Sequence, residues 1–270
     1  MKFSLQNKWV LITGASSGFG AAAAAAFGAE GANLLLGARR LDRLANVCAD
    51  ARKAGALEAH YHELDVSRTA SVEKFVAWAK EKMSSPAGKG KPAGPAPLHV
   101  LINNAGGAHG VDTVANGKDE DWETMLQTNV LGVLRVTRAA LPLMPHNDGA
   151  SIINIGSLAA RAAYAGGSAY CAAKAGELQI SRVLRQELFG AGIRVSSVDP
   201  GLAETEFSLV RYKGDAKKAK ELYAGTNPLV AADIAEILLW VATRPAHVNI
   251  DEMLIKPVDQ ADMGKVFRRK

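Results

Sequence analysis

Short apolar runs alternate with longer amphipathic stretches along this chain, and the alternation predicts strands and helices in turn. Trp9–Thr13, Asn33–Gly37, Ala59–Leu64, His99–Asn103, Ser151–Ile155, Arg194–Asp199 and Met253–Lys256 read as strands that are apolar nearly throughout. Strands of that kind are buried on both faces, as in a parallel sheet covered by helices. Between them lie helical patterns around 19–30, 40–54, 69–83, 119–141, 168–190 and 231–243. Alternation of this sort implies right-handed βαβ crossovers. The expected fold is therefore α/β: a doubly wound, seven-stranded, mainly parallel sheet with helices on both faces.

Two segments stand out from the pattern. Ala21–Ala26 is a run of alanines inside the first helix, and it reads as close packing on the sheet, since alanine favours helix and lets backbones approach. Ser84–Pro97 carries Pro86, Pro92, Pro95 and Pro97 together with Gly88, Gly90 and Gly94. Such a stretch is not expected to hold a helix or a strand. It reads as a mobile surface insertion rather than a domain boundary, because the βα alternation resumes at once. Residues 1–270 are thus expected to form a single domain, and no internal repeat interrupts them.

Composition narrows the class. The chain has 270 residues, 48% hydrophobic and 22% charged, the balance of a globular protein with a sizeable core. No apolar run reaches membrane-spanning length, and residues 1–10 lack a signal peptide's apolar core. Cys48 and Cys171 make neither a disulfide framework nor a metal spacing. Cys171 reads as a packing residue, no metal site is expected, and the cytoplasm is the expected compartment. The net charge of +5 does not come with a basic block interleaved with aromatics. Lys217, Lys218 and Lys220, and the terminal Arg268–Lys270, read as solvated surface, so no nucleic-acid partner is expected. An enzyme that binds a phosphorylated small molecule accounts for the charge.

Thr13–Gly20 joins the first strand to the first helix and carries Gly14, Gly18 and Gly20. A pyrophosphate site needs such a tight turn, close approach of backbone, and a helix N-terminus facing the negative charge. The spacing is GxxxGxG rather than the commoner GxGxxG. At the end of the second strand, where an acidic residue usually holds a free ribose 2′-OH, this chain has Arg39 and Arg40. Guanidinium groups suit a 2′-phosphate. As plain solvated residues they would oppose the macrodipole at a helix start, a cost that a phosphate cancels. Arg39 is thus expected to select NADP(H), with Arg40 stacking on adenine or assisting.

Tyr170 and Lys174 lie four residues apart in a predicted helix, hence on one face. A phenol ordinarily titrates near pH ~10 and needs help to exchange protons near neutrality. An adjacent ammonium favours the phenolate.

These motifs together resemble the classical short-chain dehydrogenases/reductases over nearly the whole chain. Thr13–Gly20 matches the family's TGxxxGxG and Asn103–Gly106 its NNAG, while Asp65 and Val66 match the pair beside adenine. The resemblance implies a single Rossmann-type domain and a cofactor site that includes Gly14, Ser16, Ser17, Gly18, Phe19, Gly20, Arg39, Arg40, Asp65, Val66, Asn104, Ala105 and Gly106. It adds Tyr170, Lys174, Pro200, Gly201, Ala203 and Thr205 at the nicotinamide end. Asn129, Ser157, Tyr170 and Lys174 match the catalytic tetrad. Tyr170 is implied as the acid/base, and Ser157 as the donor to the substrate oxygen. Lys174 is implied to lower the Tyr170 pKa and to bind ribose, and Asn129 to hold a water. Ala173 departs from the family pattern, where Ser is common, with little expected consequence.

Asp121–Met125, Ile153–Ser157, Asp199–Asp215 and Thr243–Ile250 further resemble the NADP-dependent 3-hydroxy acid dehydrogenases, which act on L-serine, L-allo-threonine and similar acids. Ala203 and Ser168 depart from that subgroup. A 3-hydroxy acid needs a cation for its carboxylate, and Arg161 and Arg211 are the expected sources. A broad carbonyl or 3-oxoacyl-thioester reductase, or a non-catalytic NADP-binding sensor, remains an alternative, although the intact tetrad argues against the sensor. The resemblance also implies a homotetramer or homodimer, with 119–141 and 168–190 at its interface.

Overall fold

The computed structural model describes residues 2–85 and 94–269. Its seven main strands are β1 Trp9–Thr13, β2 Asn33–Ala38, β3 Glu58–Glu63, β4 Leu98–Asn103, β5 Ser151–Ile155, β6 Arg194–Pro200 and β7 Glu252–Ile255. They form one sheet in the order β7-β6-β5-β4-β1-β2-β3, parallel at every pairing. The helices are α1 Gly18–Ala29, α2 Leu41–Ala54, α3 Thr69–Lys82, α4 Asp119–Leu126, α5 Gly132–Ala140, α6 Ser168–Glu187, α7 Glu206–Arg211, α8 Ala216–Glu221 and α9 Ala231–Ala242.

The period of two along each strand sends alternate side chains to opposite layers. Val10, Ile12, Leu34, Leu36, Ile153 and Val198 pack under α1, α2 and α9, together with the fully buried Phe27. Leu11, Leu35, Leu101, Ile152 and Val195 pack on the other side with Phe75 of α3 and Val136 of α5. Each large apolar side chain removed from water contributes about 1.5–3 kcal/mol before entropy is counted, so both faces of the sheet are sealed. The alanine run does what its composition suggests. Ala23 and Ala24 are fully buried, and one turn on Gly28 lets α1 approach α2 so closely that a Cβ there would lie 2.7 Å from the Ala51 carbonyl.

Two expectations need correction. The pattern at 119–141 reads as one helix, but α4 and α5 are joined by a π-helical turn at Gln127–Leu131. The stretch at 84–97 is not free of strand. Ser84–Ser85 pairs antiparallel with Gly94–Pro95, because proline and glycine are tolerated on a two-residue ribbon with no sheet beyond it. The mobile insertion expected between them falls at 86–93, outside the described residues. Among the described residues, no helix is long and apolar enough to cross a membrane.

The strand order reverses between β1 and β4, so the connections leaving their carboxyl ends diverge and open a crevice. Both motifs with the strongest sequence signal, Thr13–Gly20 and Asn103–Gly106, stand at that point.

Candidate active site

A cleft of about 820 Å³ runs along the carboxyl ends of the strands. That is within the usual range for a small-molecule site. Its floor is built where β1 and β4 end. Thr13 Oγ1 accepts from the backbone N–H groups of Asn104 (3.0 Å) and Ala105 (2.9 Å), and Asn104 Nδ2 donates to the Thr13 carbonyl at 2.9 Å. This lashes the glycine-rich turn to the second motif. Gly14 sits at φ +64°, and a Cβ there would fall 2.8 Å from Ala105 Cα. At Gly20 a Cβ would be 2.5 Å from Asn104 Nδ2. The turn is bare because neither position has room for a side chain, and the N-terminus of α1 is left facing the cleft.

Every residue expected to touch the cofactor lines this cleft except Gly20, which supports the turn from behind. Arg39 reaches the cleft from the end of β2 and makes no hydrogen bond or ion pair among the described residues. Arg40 is engaged. Its guanidinium donates to Ser16 Oγ, to Ser17 Oγ at 2.7 Å, and to Glu206 Oε2 at 3.0 Å. A bare turn at a helix N-terminus, with an uncommitted arginine beside it, fits a dinucleotide that carries an additional phosphate.

At the other end Tyr170 and Lys174 project from α6 into the cleft, as their spacing predicts. Tyr170 is buried, with the Ser157 hydroxyl near its phenol. Burial pushes its phenol up to about 12, against the pull of the Ser157 hydroxyl and of the Arg211 guanidinium. Lys174 Nζ turns to the Ile155 carbonyl at the end of β5, donating at 2.6 Å. Burial in turn moves the Lys174 ammonium below its ordinary value, while Glu177 and Asp199 hold it up.

Asn129 lies in the π turn and does not line the cleft. A π turn displaces the helical hydrogen-bonding pattern, and the Asn129 side chain takes up the slack. Its Nδ2 donates to the Met125 carbonyl at 2.8 Å and to the Gly107 carbonyl at 2.9 Å, and its Oδ1 accepts from Gly107 N–H at 3.1 Å. A Cβ on Gly106 would stand 2.6 Å from Asn129 Oδ1 and 3.8 Å from Lys174 Nζ, so this asparagine sits behind the wall that Lys174 faces.

The two arginines expected for a carboxylate separate cleanly. Arg161 does not line the cleft. Its guanidinium is bound to Asp199 Oδ2 and Glu252 Oε2, both at 2.6 Å, because β6 and β7 bring those carboxylates together beside it. Arg211, at the end of α7, lies in the cleft over the rings of Tyr164 (5.1 Å) and Tyr170 (5.8 Å) and donates to Tyr164 Oη at 2.7 Å. Its Nε is buried with no partner among the described residues.

Sequence reasoning did not find the residues that roof the site. Phe207 packs on Tyr170 with ring centroids 5.6 Å apart, Tyr164 braces Arg211, and Glu206 reaches Arg40. The one local signal was Thr205, whose hydroxyl caps α7 by accepting from Phe207 N–H at 3.2 Å. No cluster of three or more His, Cys, Asp or Glu able to hold a metal occurs among the described residues.

Comparison with known proteins identifies the family. The family model for short chain dehydrogenases matches residues 8–214. The chain belongs to the short-chain dehydrogenase family. Within it, a sulfoacetaldehyde reductase of Chromohalobacter salexigens is 42% identical over 253 residues, covering 93% of this chain and 94% of its own length. An NADP-dependent 3-hydroxy acid dehydrogenase of Schizosaccharomyces pombe is 38% identical over 267 residues, 98% of each chain. Among solved structures, the closed form of a serine dehydrogenase complexed with NADP+ superposes with a TM-score of 0.84 at 38% identity, covering 97% of this chain and 100% of that one. In this short-chain dehydrogenase, then, Tyr170, Lys174 and Ser157 line the same cleft as the glycine-rich turn.

Proposed function

We propose that this short-chain dehydrogenase is an NADP-dependent oxidoreductase that interconverts a short 3-hydroxy acid and its 3-oxo acid or semialdehyde. The observation that carries the substrate class is Arg211, a cation over the ring of Tyr170 whose buried Nε no group among the described residues satisfies. An unpaired buried donor is costly unless a ligand completes it. A carboxylate, or the sulfonate handled by a relative of this chain, supplies the matching acceptors.

The uncommitted Arg39 supports NADP(H) over NAD(H). Gly14, Ser16, Ser17, Gly18, Phe19 and Gly20 would cradle its pyrophosphate, with Arg40 bracing the turn. Asp65, Val66, Asn104, Ala105 and Gly106 would flank the adenosine half, and Pro200, Gly201, Ala203 and Thr205 the nicotinamide half. Bound NADP(H) supplies or accepts the hydride. In reduction the Tyr170 hydroxyl gives its proton to the substrate oxygen, and in oxidation it takes the proton back. Ser157 donates to the same oxygen and stabilises charge as it develops there. Lys174, buried beside Ile155, supports that proton exchange, and Asn129 fixes the wall behind it. Arg211 holds the acid group at the far end of the substrate and so aligns the hydroxyl-bearing carbon.

The reading extends to one domain over 1–270, a cytoplasmic setting, and a homodimer or homotetramer built on the exposed Leu126, Leu131 and Leu134 and on Val183 of α6. The direct test compares turnover of 3-hydroxy acids with that of neutral secondary alcohols in the wild type and in Arg211→Ala. A raised KM for the acids alone is expected. Equal losses on both substrate classes would remove Arg211 from substrate recognition.

A further inference from the structure

Residues 166 positions apart in the chain meet at the mouth of the cleft. Glu206, in the first turn of α7, offers one carboxylate to two guanidinium groups from the start of α2. Arg40 Nη1 donates to Oε2 at 3.0 Å, and Arg43 Nη1 donates to Oε1. Arg40 at the same time donates through Nε and Nη2 to the hydroxyls of Ser16 and Ser17 in the glycine-rich turn. The preceding residue, Thr205, also touches this turn, since a Cβ on Gly18 would lie 3.6 Å from Thr205 Cβ. The segment that roofs the catalytic tyrosine through Phe207 and Arg211 is therefore fastened at its start to the phosphate cradle and to α2. At its end it is fastened by Gly110 N–H donating to the Arg211 carbonyl at 2.9 Å.

We propose that Glu206, Arg40 and Arg43 form a clasp that holds α7 over the bound dinucleotide and sets the rate at which the cofactor leaves. The proposal rests on the cofactor reading above. It gives the neighbouring arginines separate roles. Arg39, without a partner among the described residues, reads the extra phosphate, whereas Arg40 and Arg43 hold the roof. Three features support this division. Arg40 has its donors committed to three protein oxygens on two elements, a poor arrangement for a group that must also grip a phosphate. Arg43 does not line the cleft, so its pairing with Glu206 has no counterpart in substrate or cofactor contact. The carboxylate, flanked first by Arg43 and then by Arg40 and Ser17, stays below the usual carboxylate range, so the clasp is charged throughout the working pH range. Glu206 is a positioning residue on this account, acting on the cofactor through α7.

The distinguishing consequence is kinetic. Exposed ion pairs contribute about 0.2–1 kcal/mol each, so opening both pairs of the clasp is expected to speed cofactor release roughly 2- to 30-fold. Because the clasp holds the roof and not the phosphate, release of NADPH and NADH should accelerate by the same factor. The experiment measures dissociation of both reduced cofactors, by stopped-flow displacement of their fluorescence, from wild type, Glu206→Gln, Arg43→Ala and the double variant. The thermal midpoint of each variant is checked for folding. The expected result is a larger acceleration in Glu206→Gln, which opens both pairs, than in Arg43→Ala, which opens one, no acceleration in the double variant beyond that of Glu206→Gln, and an unchanged NADPH-to-NADH preference. An unchanged release rate in folded Glu206→Gln would overturn the proposal. So would an acceleration confined to NADPH, because that would place the clasp in phosphate recognition. If the wild type binds neither cofactor, the fault lies in the functional reading itself and the clasp proposal falls with it.

Discussion

At the level of single residues the site works by setting neighbours against burial. Tyr170 is neutral well above neutrality because desolvation outweighs the pull of Ser157 and Arg211, its phenol being raised to about 12. The sign follows directly. The protonated form is the acid that reduction uses, and it persists across the neutral range. The phenolate that oxidation uses gains about tenfold per pH unit below that pKa. Oxidation is therefore expected to keep rising with pH on the alkaline side while reduction stays flat there. A plateau of the oxidative rate near neutrality would contradict a phenol raised this far. Tyr170→Phe is expected to lose roughly 10²–10⁴-fold in rate with cofactor affinity retained; equilibrium titration with NADPH beside steady-state assays separates the two. Arg39→Ala is expected to weaken NADP(H) binding and leave NAD(H) binding nearly unchanged, measured in the same titration.

At the level of elements, much was legible. All seven strands show in the sequence to within a residue or two, and the five inner ones are buried on both faces, a signal that does not depend on knowing the partner. The glycine-rich turn and the Tyr170/Lys174 pair carry spacings that can be read without any fold, whereas Asn129 and Ser157 are reached through the family resemblance. What escaped was set by distant contacts or by length. The π turn breaks no apolar period, so 119–141 reads as one helix, although the break is what lets Asn129 answer both Met125 and Gly107. Helices α7 and α8 are too short for periodicity, with only their caps, Thr205 and Asp215, to mark them. Arg161 looks like a substrate ligand until β6 and β7 place Asp199 and Glu252 against it. Asn129→Ala would leave buried backbone groups of the π turn and the Gly107 loop without partners, at about 1–3 kcal/mol. A lower unfolding midpoint, with the loop's amides exchanging faster, is the expected outcome.

At the level of the whole molecule, the doubly wound sheet separates support from chemistry. The ion-pair cluster of Arg161, Arg182 and Arg185 around Glu252 ties α6 to β7 away from the cleft. Arg182 first, and then Arg161, hold the Glu252 carboxyl down to about 2. A depressed carboxylate contributes stability that is complete above its unfolded value of ~4.3 and is lost as pH falls towards the folded one. Glu252→Gln is therefore expected to flatten the acid limb of the stability curve between those two values, with the site chemistry at neutral pH unaffected. The exposed leucines of α4 and α5 belong to the same scale, and sedimentation of the wild type against Leu134→Glu tests whether they join copies of the chain.

The most direct measurement follows nicotinamide absorbance with purified protein, NADP+ or NAD+, and a panel of L-serine, L-allo-threonine, 3-hydroxypropionate, 3-hydroxyisobutyrate and a neutral secondary alcohol. The expected result is NADP+-selective oxidation of a 3-hydroxy acid, with the preference for the acid lost in Arg211→Ala. Turnover of the neutral alcohol alone, or a preference for acids that survives the loss of Arg211, would contradict the assignment of this site.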